Sequence, residues 1–192
     1  STEQVQILLQ QLTLSAEAQP HSALIEKLMG DWLWANGVPM FNTDHADDGS
    51  YSAYSRSYLA DLKDVSHNTV ALTALVHERV IPLQQWVTPL LSCWQGVGIV
   101  NTHQDAVTLH HQLQGQQSLL SLDGFWLGTN WQLNLNLDES AARQQGILQQ
   151  QLRQQQLKQQ LNQLTNEITP LLEQKQQLTA EIDHHQAQLQ PI

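Results

Sequence analysis

The chain has a single cysteine, Cys93, in 192 residues, which excludes an internal disulfide and gives no sign of an oxidising compartment. Cys93 lies in an apolar run, where a buried, inert thiol is expected. Basic residues are also scarce. Eight Lys and Arg stand against 18 Asp and Glu, for a net charge of −10. Nucleic-acid binding driven by counterion release needs a basic footprint, so non-specific DNA affinity is expected to be weak. No apolar run reaches the roughly 18 residues of a membrane span, and no secretory signal opens the chain. A soluble, cytoplasmic chain is expected.

Catalytic signatures are missing too. There is no GxxxxGK[ST] run to hold nucleotide phosphates, no GxSxG elbow and no CxxC, and His77-Glu78 lacks the second His of a zinc-protease helix. His110-His111 and His184-His185 are adjacent pairs; neighbours in a helix point about 100° apart and cannot share a metal from one face. Asp44, His45, Asp47 and Asp48 carry cation-ligand chemistry, but their spacing fits neither an EF-hand loop nor a zinc site. They read as a solvated acidic loop. The expectation is a chain with no catalytic residue, no cofactor and no metal site.

What is present is a strand pattern running into a long glutamine-rich helix. In Gln116–Leu122 an apolar strand pattern meets Asp123-Gly124, a pair suited to a tight type I′ turn. The returning run, Phe125–Leu137, ends in strict alternation with Trp131, Leu133, Leu135 and Leu137 on one face, which predicts a half-buried strand. Asp138-Glu139-Ser140 is a helix-starting cluster. Beyond it, apolar residues recur at Leu157, Leu161, Leu164, Ile168, Leu171, Leu178, Ile182 and Leu189, with Lys175 and His185 in the two remaining seam positions. Spacing that alternates four and three predicts a coiled-coil seam rather than a disordered tract.

Upstream, Thr2–Leu12 reads as a short helix with a stripe of Val5, Leu8 or Leu9, and Leu12. A helix this short needs a partner, and the nearest candidate is the start of the long helix, around Ile147 to Leu161, which would run antiparallel to it. Pro20 opens a second helix, Ala23 to Trp34, followed by Asn36-Gly37 and a strand, Val38 to Phe41. Asn42 to Tyr58 is a polar loop, and Leu59 to Val76 is helical or mixed. Pro82 is placed at the first turn of a helix reaching Trp94, kinked at Pro89. Gly96–Val100 reads as a buried strand, and Asn101-Thr102 as the cap of a helix through Leu113 that Gly115 stops. Leu28-Met29-Gly30-Asp31-Trp32 with Gly37-Val38 echoes Leu90-Leu91-Ser92-Cys93-Trp94 with Gly96-Val97, a faint internal repeat.

Several of these segments are specific together. Leu90-Leu91 with Gly96–Val100, the helix from Ala106 to Leu113, the Ser121-Leu122-Asp123-Gly124 hairpin, Gly124-Phe125-Trp126-Leu127-Gly128, Gly146-Ile147-Leu148 before a Gln-rich run, and Ala23–Leu33 follow one another in this order. This order resembles the hinge of the SMC (structural maintenance of chromosomes) proteins, in the form seen in many proteobacterial members, over roughly residues 20 to 165. The resemblance implies an α+β chain: a mixed α/β hinge domain of two subdomains, flanked by an antiparallel coiled coil. Its expected divisions are a coil helix over 1–16, a hinge over 20–140 with subdomains at about 20–60 and 75–140, and a second coil helix over 141–192. ATPase heads would lie at the far ends of the coils, so a chain that begins at Ser1 without a phosphate-binding loop fits a fragment.

The resemblance further implies a non-enzymatic dimerisation hinge serving chromosome condensation and segregation, cytoplasmic and nucleoid-associated. Its partners would be a second copy through hinge or coil, DNA weakly at most, and accessory subunits elsewhere on the full-length protein. Asp123, Gly124, Trp126, Gly128 and Trp131 are the candidate dimer contacts. Arg143, Arg153 and Lys158 near the coil junction are the candidate DNA contacts, and Val5, Leu8 and Leu12 join the later leucines and isoleucines on the coil seam. Where many members have paired glycines, this chain has Asn130, Trp131, Gln132 and Leu133, so Trp126 or Trp131 either anchors an interface or belongs to the core. Two other readings compete. One is a stand-alone coiled-coil scaffold or adaptor, and the other is a metal-dependent enzyme built on Asp44 to Asp48.

Overall fold

The computed structural model of the chain describes residues 6–41, 55–60, 80–137 and 146–189. Val5, Arg143, the Asp44–Asp48 cluster and the cluster at 138–140 lie outside these residues, as does most of the segment expected to be helical or mixed up to Val76. The chain is α+β, and it divides into two compact units, Ser1–Leu152 and Arg153–Ile192.

The first unit starts with Ile7 bridged to Asn36, and helix α1, Leu8–Gln11, follows. This is a single turn and not a coil arm. Leu8 and Leu12, expected on a seam, have no exposed surface and belong to the main core with Leu9, Leu24, Ile25 and Leu148. Ile147 and Leu152 pack against the same cluster. The stripe was legible, but it faces a domain interior. Strand β1, Thr13–Leu14, follows at once. Pro20 sits in a 3-10 turn, Gln19–His21, and leads into helix α2, Ser22–Met29, which buries Leu24, Ile25, Leu28 and Met29. Gly30, at φ +52°, ends the α-helix, so the segment expected to stay helical through Trp34 finishes as the 3-10 turn Gly30–Trp34.

Strand β2, Asn36–Val38, pairs in parallel with β3, Ser57–Leu59, which spans the boundary between the stretch expected to be loop and the one expected to be helical or mixed. Gly37 is needed here. Its N–H donates to the Gln6 carbonyl, and a Cβ would lie 3.0 Å from the Tyr58 hydroxyl, which donates to that same carbonyl.

The helix expected from Pro82 to Trp94 does not form. Instead come β4, Ile81–Pro82, a 3-10 turn at Leu83–Gln85, β5, Val87–Thr88, and a second 3-10 turn at Ser92–Trp94. Two prolines seven positions apart leave too little room for a run of i to i−4 bonds. β5 pairs antiparallel with β1, Thr13 opposite Thr88, and the two threonine hydroxyls meet at 2.8 Å. Cys93, expected to be buried, is exposed at the surface of the last turn.

Strands β6, Val97–Val100, and β7, Ser118–Ser121, pair in parallel. Both are buried at every position, as expected of parallel strands covered on both faces. Ile99 and Leu120 face the main core, while Val100 and Leu119 face a second cluster with Ala106, Leu109, Leu113 and Leu127. That second cluster lies under helix α3, His103–Leu109, the crossover between them. Thr102 caps α3 as expected: its hydroxyl accepts from the Asp105 N–H at 3.1 Å and donates to the Asp105 carboxylate at 2.8 Å. The internal echo also has a structural counterpart. Each copy ends in a 3-10 turn and leads to a strand that pairs in parallel, and Trp32 and Trp94 meet edge to face with centroids 6.3 Å apart.

The sheet finishes with β8, Phe125–Leu127, and β9, Gln132–Asn134, giving the order β4-β6-β7-β8-β9. One long strand was expected over Phe125–Leu137. Gly128-Thr129-Asn130 folds it into a second hairpin, in which the Gly128 N–H donates to the Trp131 carbonyl at 2.9 Å.

Helix α4, Ile147–Gln188, is unbroken over 42 residues and runs through Pro170. Thr169 does not cap a new helix there: its hydroxyl donates to the Thr165 carbonyl one turn back. Within the second unit the seam residues are all exposed, from 51% for Ile168 to 80% for Leu189. No described helix is long and apolar enough to cross a membrane.

Candidate interaction edge

The five-stranded sheet has two edges of different character. β4 is one, and Pro82 within it lacks the N–H that a further strand would need. β9 is the other. Gln132, Leu133 and Asn134 are all exposed, and Trp131 to Asn134 carry neither charge nor proline. Among the described residues nothing covers this edge. Trp131 is 45% exposed and Leu133 49% exposed, side by side at the rim.

The expected contact residues converge on this hairpin region but divide by role. Asp123 is exposed, and its carboxylate accepts from the His103 N–H at 3.0 Å, so it holds the first turn of α3. Partial burial pushes the Asp123 carboxyl up. The Ser121 hydroxyl, the N–H groups of His103 and of Asp123 itself, and the neighbouring His103 ring outweigh that push and hold it below its ordinary value of 3.8. Gly124, at φ +100°, is buried, and a Cβ there would come within 3.0 Å of Leu137. Among the described residues the only non-glycine with positive φ is Asn136, so the turn is not the expected type I′. The Gly124 N–H donates to the Ser121 carbonyl, and Leu122, Asp123 and Gly124 form a three-residue loop with glycine at its left-handed position.

Trp126 is half-buried, and its indole N–H donates to the Ser118 hydroxyl at 2.9 Å. The Trp131 ring meets it edge on, centroids 5.0 Å apart, and lies where a Cβ on Gly128 would project. The two tryptophans therefore take different parts. Trp126 is a wall of the main core, and Trp131 is a half-exposed cap folded over a glycine. The close backbone approach that Gly128 permits is made to a side chain of its own hairpin.

Two histidines tie α3 to this edge, His103, which the sequence reading did not single out, and His110 of the adjacent pair. His103 stacks on Phe125 with centroids 3.9 Å apart, and its Nε2 lies 2.9 Å from Gln132 Oε1. His110 Nδ1 lies 3.2 Å from the Thr129 carbonyl, a geometry in which the ring nitrogen donates. Between His110, Val107, Leu127 and the Gly128–Gln132 turn lies a shallow groove. The signal for these contacts was absent from the sequence because 29 residues separate His103 from Gln132.

The remaining candidates do not join this site. Arg153 and Lys158 are exposed on α4, and five residues of helix turn them about 140° apart, so they do not share one face. Among the described residues no group of three or more His, Cys, Asp or Glu is placed to hold a metal. No protein-family model and no curated protein matches the chain.

Proposed function

We propose that the chain is the dimerisation hinge of an SMC-type protein, a non-enzymatic mixed α/β domain joining two coiled-coil arms for chromosome condensation and segregation. The observation that carries this reading is the β9 edge. An uncovered, uncharged strand with Trp131 and Leu133 half exposed is suited to pairing with a second copy edge to edge, main-chain bonds supplying affinity and the two side chains register. Hiding the remaining surface of two such side chains contributes on the order of 1 kcal/mol each. Counted over both copies, the four side chains reach only the low end of the roughly 4–15 kcal/mol that association costs, so strand bonds or the coil must add to it. In this reading the protein is cytoplasmic and nucleoid-associated, its accessory subunits bind elsewhere on the full-length chain, and DNA is bound weakly at most, in keeping with the net charge of −10 and the divided Arg153 and Lys158.

The exposed seam of α4 favours a second reading, a coiled-coil scaffold or adaptor that assembles through the helix alone. Light scattering over a concentration series separates the two, on the wild type, Leu133→Asp and Ile168→Asp. The hinge reading expects a wild-type dimer that Leu133→Asp weakens at least tenfold, since a charge on the paired edge must be desolvated. A dimer insensitive to Leu133→Asp and dissolved by Ile168→Asp moves the scaffold ahead.

A further inference from the structure

Helix α4 begins at Gly146, whose carbonyl accepts the first intrahelical bond, from the Gln150 N–H at 3.0 Å. Gly146 is therefore the capping position, and it has no side chain with which to accept the free N–H groups of the first turn. Glu26 of α2, 122 positions away in sequence, supplies the acceptor: its Oε2 accepts from the Leu148 N–H at 3.3 Å. Leu148 is the second residue of the helix, the N–H that an Asp or Ser at the cap would normally satisfy. A negative charge at this end also lies favourably on the helix dipole. The glycine is part of the device, because a Cβ on Gly146 would collide with the Glu26 carboxylate. Leu148, wholly buried, fixes the same turn in the main core.

We infer that Glu26 is a positioning residue, a cap provided from one helix to another, which couples α2 to the first turn of the long helix in a way that a local cap cannot. The inference goes beyond the dimer reading and holds whether or not β9 pairs with a second copy. A Ser or Asp at position 146 would satisfy the same N–H and leave α2 joined to this turn by apolar packing alone. The chain instead leaves its own cap position empty and takes the acceptor from the element next to it in the core, so that whatever displaces α2 also releases the start of α4.

The test compares the wild-type chain with Glu26→Ala, Glu26→Gln, Gly146→Ala and the double variant Glu26→Ala with Gly146→Ser, each first checked for an unchanged tryptophan melting profile. Amide exchange at Leu148 reads the cap. A spin-label pair at Lys27→Cys and Gln149→Cys, in a Cys93→Ser background, reads the coupling through the width of its distance distribution. Glu26→Ala and Gly146→Ala are expected to speed exchange at Leu148 about fivefold, the usual scale of a lost cap, leave Val97–Val100 unchanged and broaden the distribution. Glu26→Gln, which keeps an acceptor oxygen without the charge, should fall between them and the wild type. The double variant should recover the slow exchange and keep the broad distribution. Unchanged exchange at Leu148 in Glu26→Ala overturns the inference, and so does a double variant whose distribution narrows back to the wild-type width.

Discussion

Asp123 shows how one carboxylate supports a fold without being buried. Its carboxylate accepts from the His103 N–H at the start of α3, and the groups around it favour the charged form. Because its folded pKa lies below the ordinary value, its stabilising contribution is complete above that value and is lost as pH falls through the folded one. Acid titration of thermal stability should therefore show a decline for the wild type below pH 3.8 that is flatter in Asp123→Asn, which keeps the oxygen acceptor and loses the titration. Identical profiles would mean that the contact is worth the same in both protonation states. Gly128 poses a steric question instead. A methyl group there meets the Trp131 indole, so Gly128→Ala should drive the ring off the hairpin and cost about 1–3 kcal/mol, the range for overpacking. A red-shifted Trp emission with a lowered denaturation midpoint is the expected result, and an unshifted spectrum would contradict the capped-glycine geometry. Neither contact was visible in the sequence beyond the residues themselves: Asp123-Gly124 announced a turn, but not that Asp123 would reach α3.

Elements were legible where the local pattern and the tertiary partner agreed. Val97–Val100 follows Gly96 and Ser118–Ser121 lies between Gly115 and Gly124, both short runs with apolar centres, and a parallel pair buried on both faces is where such runs belong. Thr102 carries its cap in its own side chain. The segment from Leu83 to Trp94 failed as a helix because Val87–Thr88 finds its partner at Thr13–Leu14, more than 70 residues away, and no local periodicity reports such a pairing. The alternation of Trp131, Leu133, Leu135 and Leu137 was real but did not imply one buried face. Leu135 enters the core, whereas Leu133 stays at the rim of an edge strand. In α4 Thr169-Pro170, a cap residue before a proline, does not break the helix, yet Pro170 still deprives the Asn166 carbonyl of its partner N–H. Pro170→Ala should therefore raise helix stability by up to about 3 kcal/mol, the interior proline penalty, read as a higher midpoint of ellipticity at 222 nm. No change would place the proline's cost in a geometry the helix already accommodates.

At the scale of the whole chain the two compact units are held by different means. Ser1–Leu152 contains every buried side chain among the described residues, and all six tryptophans lie in it. Among the described residues the helix beyond Leu152 buries none, and its own backbone bonds and side-chain contacts such as Gln163 with Glu167 contribute to its stability. A glutamine-rich helix without a packed face is marginal in water. Its apolar seam, spaced by four and three, is where stability must come from, because burial of those leucines and isoleucines is the one large favourable term open to it. Two separable transitions follow. Tryptophan fluorescence should report one sharp unfolding step of the first unit, with a midpoint that rises with protein concentration where β9 pairs with a second copy. Ellipticity at 222 nm should show an additional, broader loss at lower temperature, whose midpoint rises with concentration if copies of the chain cover the seam between them. Ile168→Asp should lower the ellipticity transition and leave the fluorescence midpoint in place. Superimposable transitions in the wild type would show that the helix beyond Leu152 unfolds with the domain. A broad transition that ignores concentration would show that copies of this chain do not cover the seam.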